Sequence, residues 1–66
     1  MVNVKLLEGY ITDSGLNVSD IANSLCISEK TFLYKKNNIL DFKISEIYIL
    51  CNILCIKKNP SEVFFS

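Results

Sequence analysis

The chain contains no histidine, no arginine and no tryptophan, and only two glycines and one proline interrupt its 66 residues. Histidine is the commonest metal ligand and general base, so its absence argues against a zinc site and against most acid–base active sites. The scarcity of glycine and proline excludes collagen-like and low-complexity chains. Half of the residues are apolar, which predicts one compact domain spanning residues 1–66.

Long apolar runs are also missing. The longest nearly apolar stretch, from Ile47 to Ile56, is ten residues and is broken by Asn52, whereas a membrane span needs about 20 residues. The first residues lack the basic start of a signal peptide. The sequence therefore predicts a cytoplasmic protein with no membrane partner.

Three cysteines are present, at Cys26, Cys51 and Cys55. Their number is odd, they form no CxxC pair, and two thiols without further ligands do not make a closed metal site. We expect three reduced, buried cysteines and neither a metal nor a cofactor.

The charge is balanced overall but unevenly distributed. Net charge is zero, yet the segment from Ser28 to Lys43 holds four lysines against two acidic residues, a local balance of +2. Because no arginine is available for bidentate recognition of guanine, any contact with nucleic acid must use lysine, polar or apolar groups.

Helical periodicity recurs along the chain without a competing strand pattern, so four to five short helices in an all-α fold are predicted. The first helix covers about Asn3 to Ser14 and ends at Gly15, where a residue without a side chain suits a left-handed cap. The second and third helices begin at the N-caps Asn17 and Ser28.

Later helix boundaries are also marked. Asn37 and Asn38 tolerate the left-handed conformation and should end the third helix, with an exposed loop from Ile39 to Phe42. A last turn should begin at Asn59-Pro60. The fourth helix is the most apolar, and its predicted buried stripe consists of Ile44, Ile47, Tyr48, Leu50, Cys51, Ile53 and Leu54.

Two short capped helices with almost nothing between them are typical of a helix-turn-helix, predicted here at about Asn17 to Asn38. The motif residues are Ile21-Ala22, Cys26-Ile27-Ser28 and Phe32. In this pattern the sequence resembles the phage Cro and repressor family of XRE-type helix-turn-helix proteins, especially small phage or prophage members from low-GC Gram-positive bacteria.

This resemblance implies a lambda-repressor-like DNA-binding domain that regulates transcription. In that family the position of Cys26 is usually a glycine with positive φ, and one of the positions of Lys35 and Lys36 buries an apolar residue. A small residue such as Ala22 suits a helix that packs closely against its neighbour.

If the third helix enters a major groove of double-stranded DNA, its outward face should read bases and its surroundings should bind phosphates. The predicted base contacts are Glu29, Lys30, Leu33, Tyr34 and Asn37. The predicted phosphate contacts are Asn17, Ser28, Lys35, Lys36, Asn38 and Lys43. A homodimer would present two such helices, and exposed apolar residues Ile53, Ile56 and Phe65 are the predicted interface.

One alternative stays open at this stage. Neutral charge, the lack of arginine and the apolar Leu33-Tyr34 pair also fit a small interaction protein, an antirepressor or an inhibitor of a host protein, that binds a polypeptide through the same face. Catalysis and a small-molecule substrate are not expected, because so small a domain has little room for a pocket of about 300 Å³ or more.

Overall fold

Five helices and no strand make up the part of the chain that the structure, a computed structural model, describes, which is residues 1–57 and 59–65. The predicted all-α fold is therefore confirmed. Among these residues no helix has the length and apolar character needed to cross a bilayer. In chain order the helices are α1 (Val4–Ser14), α2 (Val18–Ser24), α3 (Glu29–Lys36), α4 (Ile44–Ile53) and α5 (Pro60–Phe64).

The first three helices begin where side chains satisfy their free amide groups. Asn3 accepts a hydrogen bond from the amide of Leu6 and so caps α1. Asn17 accepts from the amide of Asp20 at 2.8 Å, and Asp20 accepts from the amide of Asn17 at 3.4 Å, which is a reciprocal capping box. Such caps are local in sequence, which explains why the predicted starts of these helices agree with the structure.

Left-handed residues end four helices: Gly15 has φ 74° after α1, and the other three are not glycine. Cys26 has φ 58° after α2, Asn38 has φ 65° after α3 and Cys55 has φ 53° after α4. In each case the next amide reaches back across the helix end, as from Ile27 to the carbonyl of Ala22 at 3.1 Å. This is the Schellman arrangement, which satisfies the last carbonyls of a helix. The predicted left-handed ends at Gly15 and Asn38 are confirmed, and Cys26 and Cys55 are additional cases.

The core gathers apolar side chains from all five helices. Leu7, Ile21, Phe32, Leu50 and Val63 are completely buried. The loop residue Phe42 joins them, because its ring centroid lies 6.2 Å from that of Phe32. The prediction of an exposed loop from Ile39 to Phe42 is therefore wrong at Phe42, whose ring is half-buried and fills space beside α3.

The apolar stripe predicted on α4 is too wide. Ile47 and Leu50 are buried, but Ile44 and Tyr48 keep 65% and 69% of their surface exposed. These two residues lie one turn apart on a face of α4 that no other described element covers. The helical period predicted that both side chains are buried. In the structure no other described helix packs against this face of α4, so both stay exposed.

The first residues of the chain fasten two distant elements together. The amide of Asn3 donates to the carbonyl of Val63 in α5 at 2.7 Å. The side chain of Asn38 accepts from the amide of Val2 at 2.7 Å and donates to the carbonyl of the same residue at 3.1 Å. The N-terminal segment thus connects the end of α3 to α5.

Candidate nucleic-acid interface

α2 and α3 are separated by four residues, of which Leu25 caps α2 and Ser28 caps α3. The left-handed turn at Cys26 reverses the chain, and the Ser28 hydroxyl accepts from the amide of Thr31 at 3.1 Å. Ala22 is 1% exposed, in agreement with a position where α2 and α3 approach closely.

The outward face of α3 consists of the side chains that the sequence predicts as base contacts. Glu29, Lys30, Leu33, Tyr34 and Asn37 are all exposed, whereas Phe32 is completely buried. The 3.6-residue period explains this division, because one buried anchor fixes the orientation of the whole short helix. These five side chains are therefore brought together on one accessible surface, which we call the α3 face.

Lys30 and Tyr34 interact within the α3 face. The Lys30 ammonium lies 5.6 Å from the centroid of the Tyr34 ring, within the range of a cation–π contact. Glu29 stands next to Lys30 at the start of the helix, so the formal charges of these two residues cancel. The α3 face therefore presents hydrogen-bonding groups and an aromatic ring, and no excess of positive charge.

Lys35 is not available for a phosphate, and its prediction as a phosphate contact is wrong. Its ammonium is buried between α3 and α4 and lies 2.6 Å and 2.8 Å from the two carboxylate oxygens of Glu46. Both side chains are less than 10% exposed. An ion pair therefore occupies this buried position on α3.

Glu46 is held ionised at this position. Burial alone would raise the pKa of its carboxyl group, but hydrogen bonds from the Lys35 ammonium and from the backbone amide of Lys43, with the positive charges of both lysines, outweigh that effect and lower the pKa. Glu46 was not among the predicted site residues because its partner lies 11 residues away on another helix. A lysine one turn after the predicted buried residue Phe32 was the available signal.

The other predicted phosphate contacts differ in their exposure and in their partners. Lys36 is paired with Glu8 of α1 at 3.0 Å, and its side chain is only 14% exposed. Asn38 is half-buried in its contact with Val2. Asn17, Ser28 and Lys43 are exposed near the N-termini of α2, α3 and α4.

The cysteines differ from their predicted burial. All three thiols are free, but Cys26 and Cys55 are exposed and only Cys51 is half-buried, where burial raises the pKa of its thiol. Left-handed cap residues lie at the ends of helices, where the side chain points away from the core, which explains the exposure of Cys26 and Cys55. Within residues 1–57 and 59–65 no group of three or more acidic or cysteine side chains could hold a metal ion.

The predicted dimer residues are only partly accessible. Ile53 and Ile56 are half-buried and pack against the core, so the prediction that they are exposed is wrong. Phe65 is 60% exposed.

Comparison of the chain with protein-family models, with curated proteins and with solved structures found no match.

Proposed function

We propose that the protein is a sequence-specific DNA-binding regulator of Cro or repressor type, in which α2 and α3 act as a helix-turn-helix and α3 enters the major groove. The observation that carries this proposal is the common exposure of Glu29, Lys30, Leu33, Tyr34 and Asn37 around the buried anchor Phe32. A short, firmly anchored helix with such a face suits a major groove about 12 Å wide.

Within the proposed interface, base reading and positioning fall to different residues. Lys30 donates to guanine, Glu29 accepts from the amino group of cytosine, and Leu33 packs against a thymine methyl group. Tyr34 and Asn37 offer hydrogen bonds to base edges or phosphates.

Phosphates are bound next to the groove. Ser28 and Asn17 bring the positive N-terminal ends of α3 and α2 to the DNA backbone. Lys43 and Lys36 are the lysines beside the α3 face that remain as candidates, Lys36 only when it leaves Glu8. With so few cations we expect modest affinity for a single domain, and therefore a homodimer on two half-sites about 34 Å apart.

In this proposal the protein binds DNA and catalyses no reaction. We place the protein in the cytoplasm, encoded by a phage or prophage, because the motif residues from Ile21 to Phe32 resemble those of the Cro family.

Selection of bound sequences from random double-stranded DNA tests this function directly. We expect a half-site to emerge, and we expect Tyr34→Ala and Lys30→Ala to abolish its selective retention. Lys5→Ala, which changes an exposed lysine on α1, is the matched control and should retain binding. If the protein bound no DNA at low salt, or bound all sequences equally, the proposal would be wrong.

A second candidate uses the same α3 face to bind a polypeptide, as an antirepressor or an inhibitor of a host protein would. Two of the four lysines in this region are engaged with Glu46 and Glu8, and Leu33 and Tyr34 each keep 37% of their surface exposed. Ile39 is also apolar and is 64% exposed. Its amide donates a hydrogen bond to the carbonyl of Tyr34 at 2.8 Å, which fixes it next to the end of α3. Recovery of one protein in a 1:1 complex that Leu33→Glu abolishes, with no DNA shift at low salt, would support this candidate.

A further inference from the structure

An open groove of about 330 Å³ lies where the N-terminal segment, the loop after α3 and the C-terminal residues meet. Sites for small molecules have volumes of about 300 to 1,000 Å³, so this groove has the size of a small one. We did not expect so short a chain to form a concavity of this volume. Most of the lining is apolar, and it includes the rings of Phe42, Phe64 and Phe65.

The floor of the groove is well packed and its rim is accessible. Phe42 and Phe64 pack edge to face with their ring centroids 5.6 Å apart, and Phe64 is only 3% exposed. On the rim, Leu40 and Phe65 keep 45% and 60% of their surface exposed. A ligand with an apolar body would remove the exposed surface of both side chains from water, which is favourable.

Two polar residues, Asn38 and Asp41, also line the groove. The side-chain amide of Asn38 is already used, because its oxygen accepts from the amide of Val2 and its nitrogen donates to the carbonyl of the same residue. Asp41 is exposed, and the ion pairs within residues 1–57 and 59–65 do not include it. Its carboxylate is therefore accessible to a ligand, and it favours a cation over an anion.

We propose that this groove binds a free arylalkylamine, a small molecule in which a short alkyl chain joins an aromatic ring to an ammonium group. The ring and the chain cover the apolar lining beside Phe65, and the ammonium group pairs with the carboxylate of Asp41. Aromatic side chains attract cations to their faces, so the rings of the lining add to the preference for positive charge.

The extent of the groove favours a free molecule over a polypeptide. A specific protein interface draws about 20 to 30 residues from each side, whereas nine residues line this groove. None of the nine belongs to the α3 face. The proposal therefore does not depend on the proposed function, and it can fail or succeed without it.

Titration of the full, isotope-labelled chain with phenylbutylamine tests the site by NMR. We expect saturable shifts of the backbone amides of Leu40, Asp41 and Phe65, with a dissociation constant on the order of 1 mM for a ligand of this size. Phenylbutanol has a similar shape without the charge and should bind at least about threefold more weakly. Phenylbutyrate carries the opposite charge and should bind more weakly than the alcohol.

The substitution Asp41→Asn isolates the contribution of the carboxylate. In this variant the amine should bind no more tightly than the alcohol, because the ion pair is lost. Asp13→Asn removes the same charge from an exposed residue in a separate hollow of about 410 Å³ beside α1, and it should keep the wild-type preference for the amine. The NMR spectrum of each variant shows whether it is folded.

Three results would each overturn the proposal. The wild type could give no saturable shift at these amides up to about 20 mM amine. The alcohol could bind as tightly as the amine, or Asp13→Asn could remove the preference as fully as Asp41→Asn does. Finally, the capped tripeptide glycyl-lysyl-glycine, which carries an ammonium group without an aromatic ring, could bind as tightly as phenylbutylamine, which would identify a polypeptide as the partner.

Discussion

Lys35 of α3 and Glu46 of α4 form a buried ion pair in which both carboxylate oxygens accept hydrogen bonds from one ammonium group, at 2.6 Å and 2.8 Å. Glu46 also accepts from the backbone amide of Lys43 at 2.8 Å, so it caps α4 as well. One carboxylate therefore fixes α3 against the start of the next helix. This contact sets the orientation of the α3 face relative to the rest of the domain.

Removing one partner of this pair should be costly. Lys35→Met leaves Glu46 buried and unpaired, and we expect it to lower the free energy of unfolding by about 3 kcal/mol. Lys36→Met is the matched control, because Lys36 pairs with Glu8, which is 52% exposed, and a pair of that kind contributes less than about 1 kcal/mol. Urea denaturation measures both. Equal losses from the two variants would contradict a special role for the buried pair.

Neutralising both partners should recover most of this loss. In Lys35→Met/Glu46→Gln no charge is buried, and the glutamine oxygen still accepts from the amide of Lys43. Replacing a buried ion pair by well-packed apolar groups of similar volume is often neutral for stability. We expect the double variant to unfold within about 1 kcal/mol of the wild type, measured by the same denaturation. A double variant as unstable as Lys35→Met would show that geometry rather than charge decides the effect.

The depressed pKa of Glu46 predicts an acid-sensitive fold. A carboxyl group whose pKa is lower in the folded state stabilises the fold above its unfolded pKa of about 4.3, and this contribution is lost as pH falls through the folded pKa. Urea midpoints measured from pH 7 to pH 3 should therefore fall more steeply for the wild type than for Lys35→Met/Glu46→Gln. Parallel curves would mean that Glu46 does not contribute to acid sensitivity.

Glycine should stabilise the ends of α2 and α4, where Cys26 and Cys55 now stand. Cys26 and Cys55 are exposed and adopt positive φ, a conformation that costs a residue with a Cβ atom about 1 to 2 kcal/mol. After the greater freedom of glycine in the unfolded chain is deducted, Cys26→Gly and Cys55→Gly should each stabilise the fold by roughly 0.5 to 1 kcal/mol. Gly15→Ala, at φ 74°, is the converse control and should destabilise. Thermal unfolding measures all three variants.

The Lys36–Glu8 contact predicts a gain of DNA affinity by substitution away from the α3 face. Glu8→Gln releases the ammonium of Lys36, so the proposed DNA complex should gain about one phosphate contact and its salt dependence should steepen by a slope of about 0.9. Asp13→Asn removes one negative charge from an exposed position of the same helix and is the control for net charge. Fluorescence anisotropy against salt concentration measures both, and identical slopes would remove Lys36 from the interface.

Sequence reasoning succeeds in this chain where the interaction is local. The caps at Asn17 and Ser28 and the left-handed conformations of Gly15 and Asn38 depend on neighbours within a few residues, and all of them agree with the structure. The exposed face of α3 follows from one buried anchor, Phe32. Such features are fixed by backbone chemistry and helical period.

The errors concern contacts between elements. Whether Lys35 meets phosphate or Glu46, and whether Tyr48 meets core or solvent, depends on which helix lies opposite, and periodicity carries no information about that. The placement of Phe42 has the same cause, since its ring is covered by Phe32 and Phe64 from two other elements. Loop residues with large rings are therefore the natural place to expect such errors.

The hydrogen bond from Asn3 to Val63 has a consequence for the order in which the chain folds. Its two ends lie 60 residues apart in sequence, so during synthesis the backbone amide of Asn3 lacks this partner until α5 has left the ribosome. Closing so long a loop is slow compared with forming a helix. The amide of Asn3 should therefore be among the last to gain protection in pulsed hydrogen exchange, which makes it a reporter of completed folding.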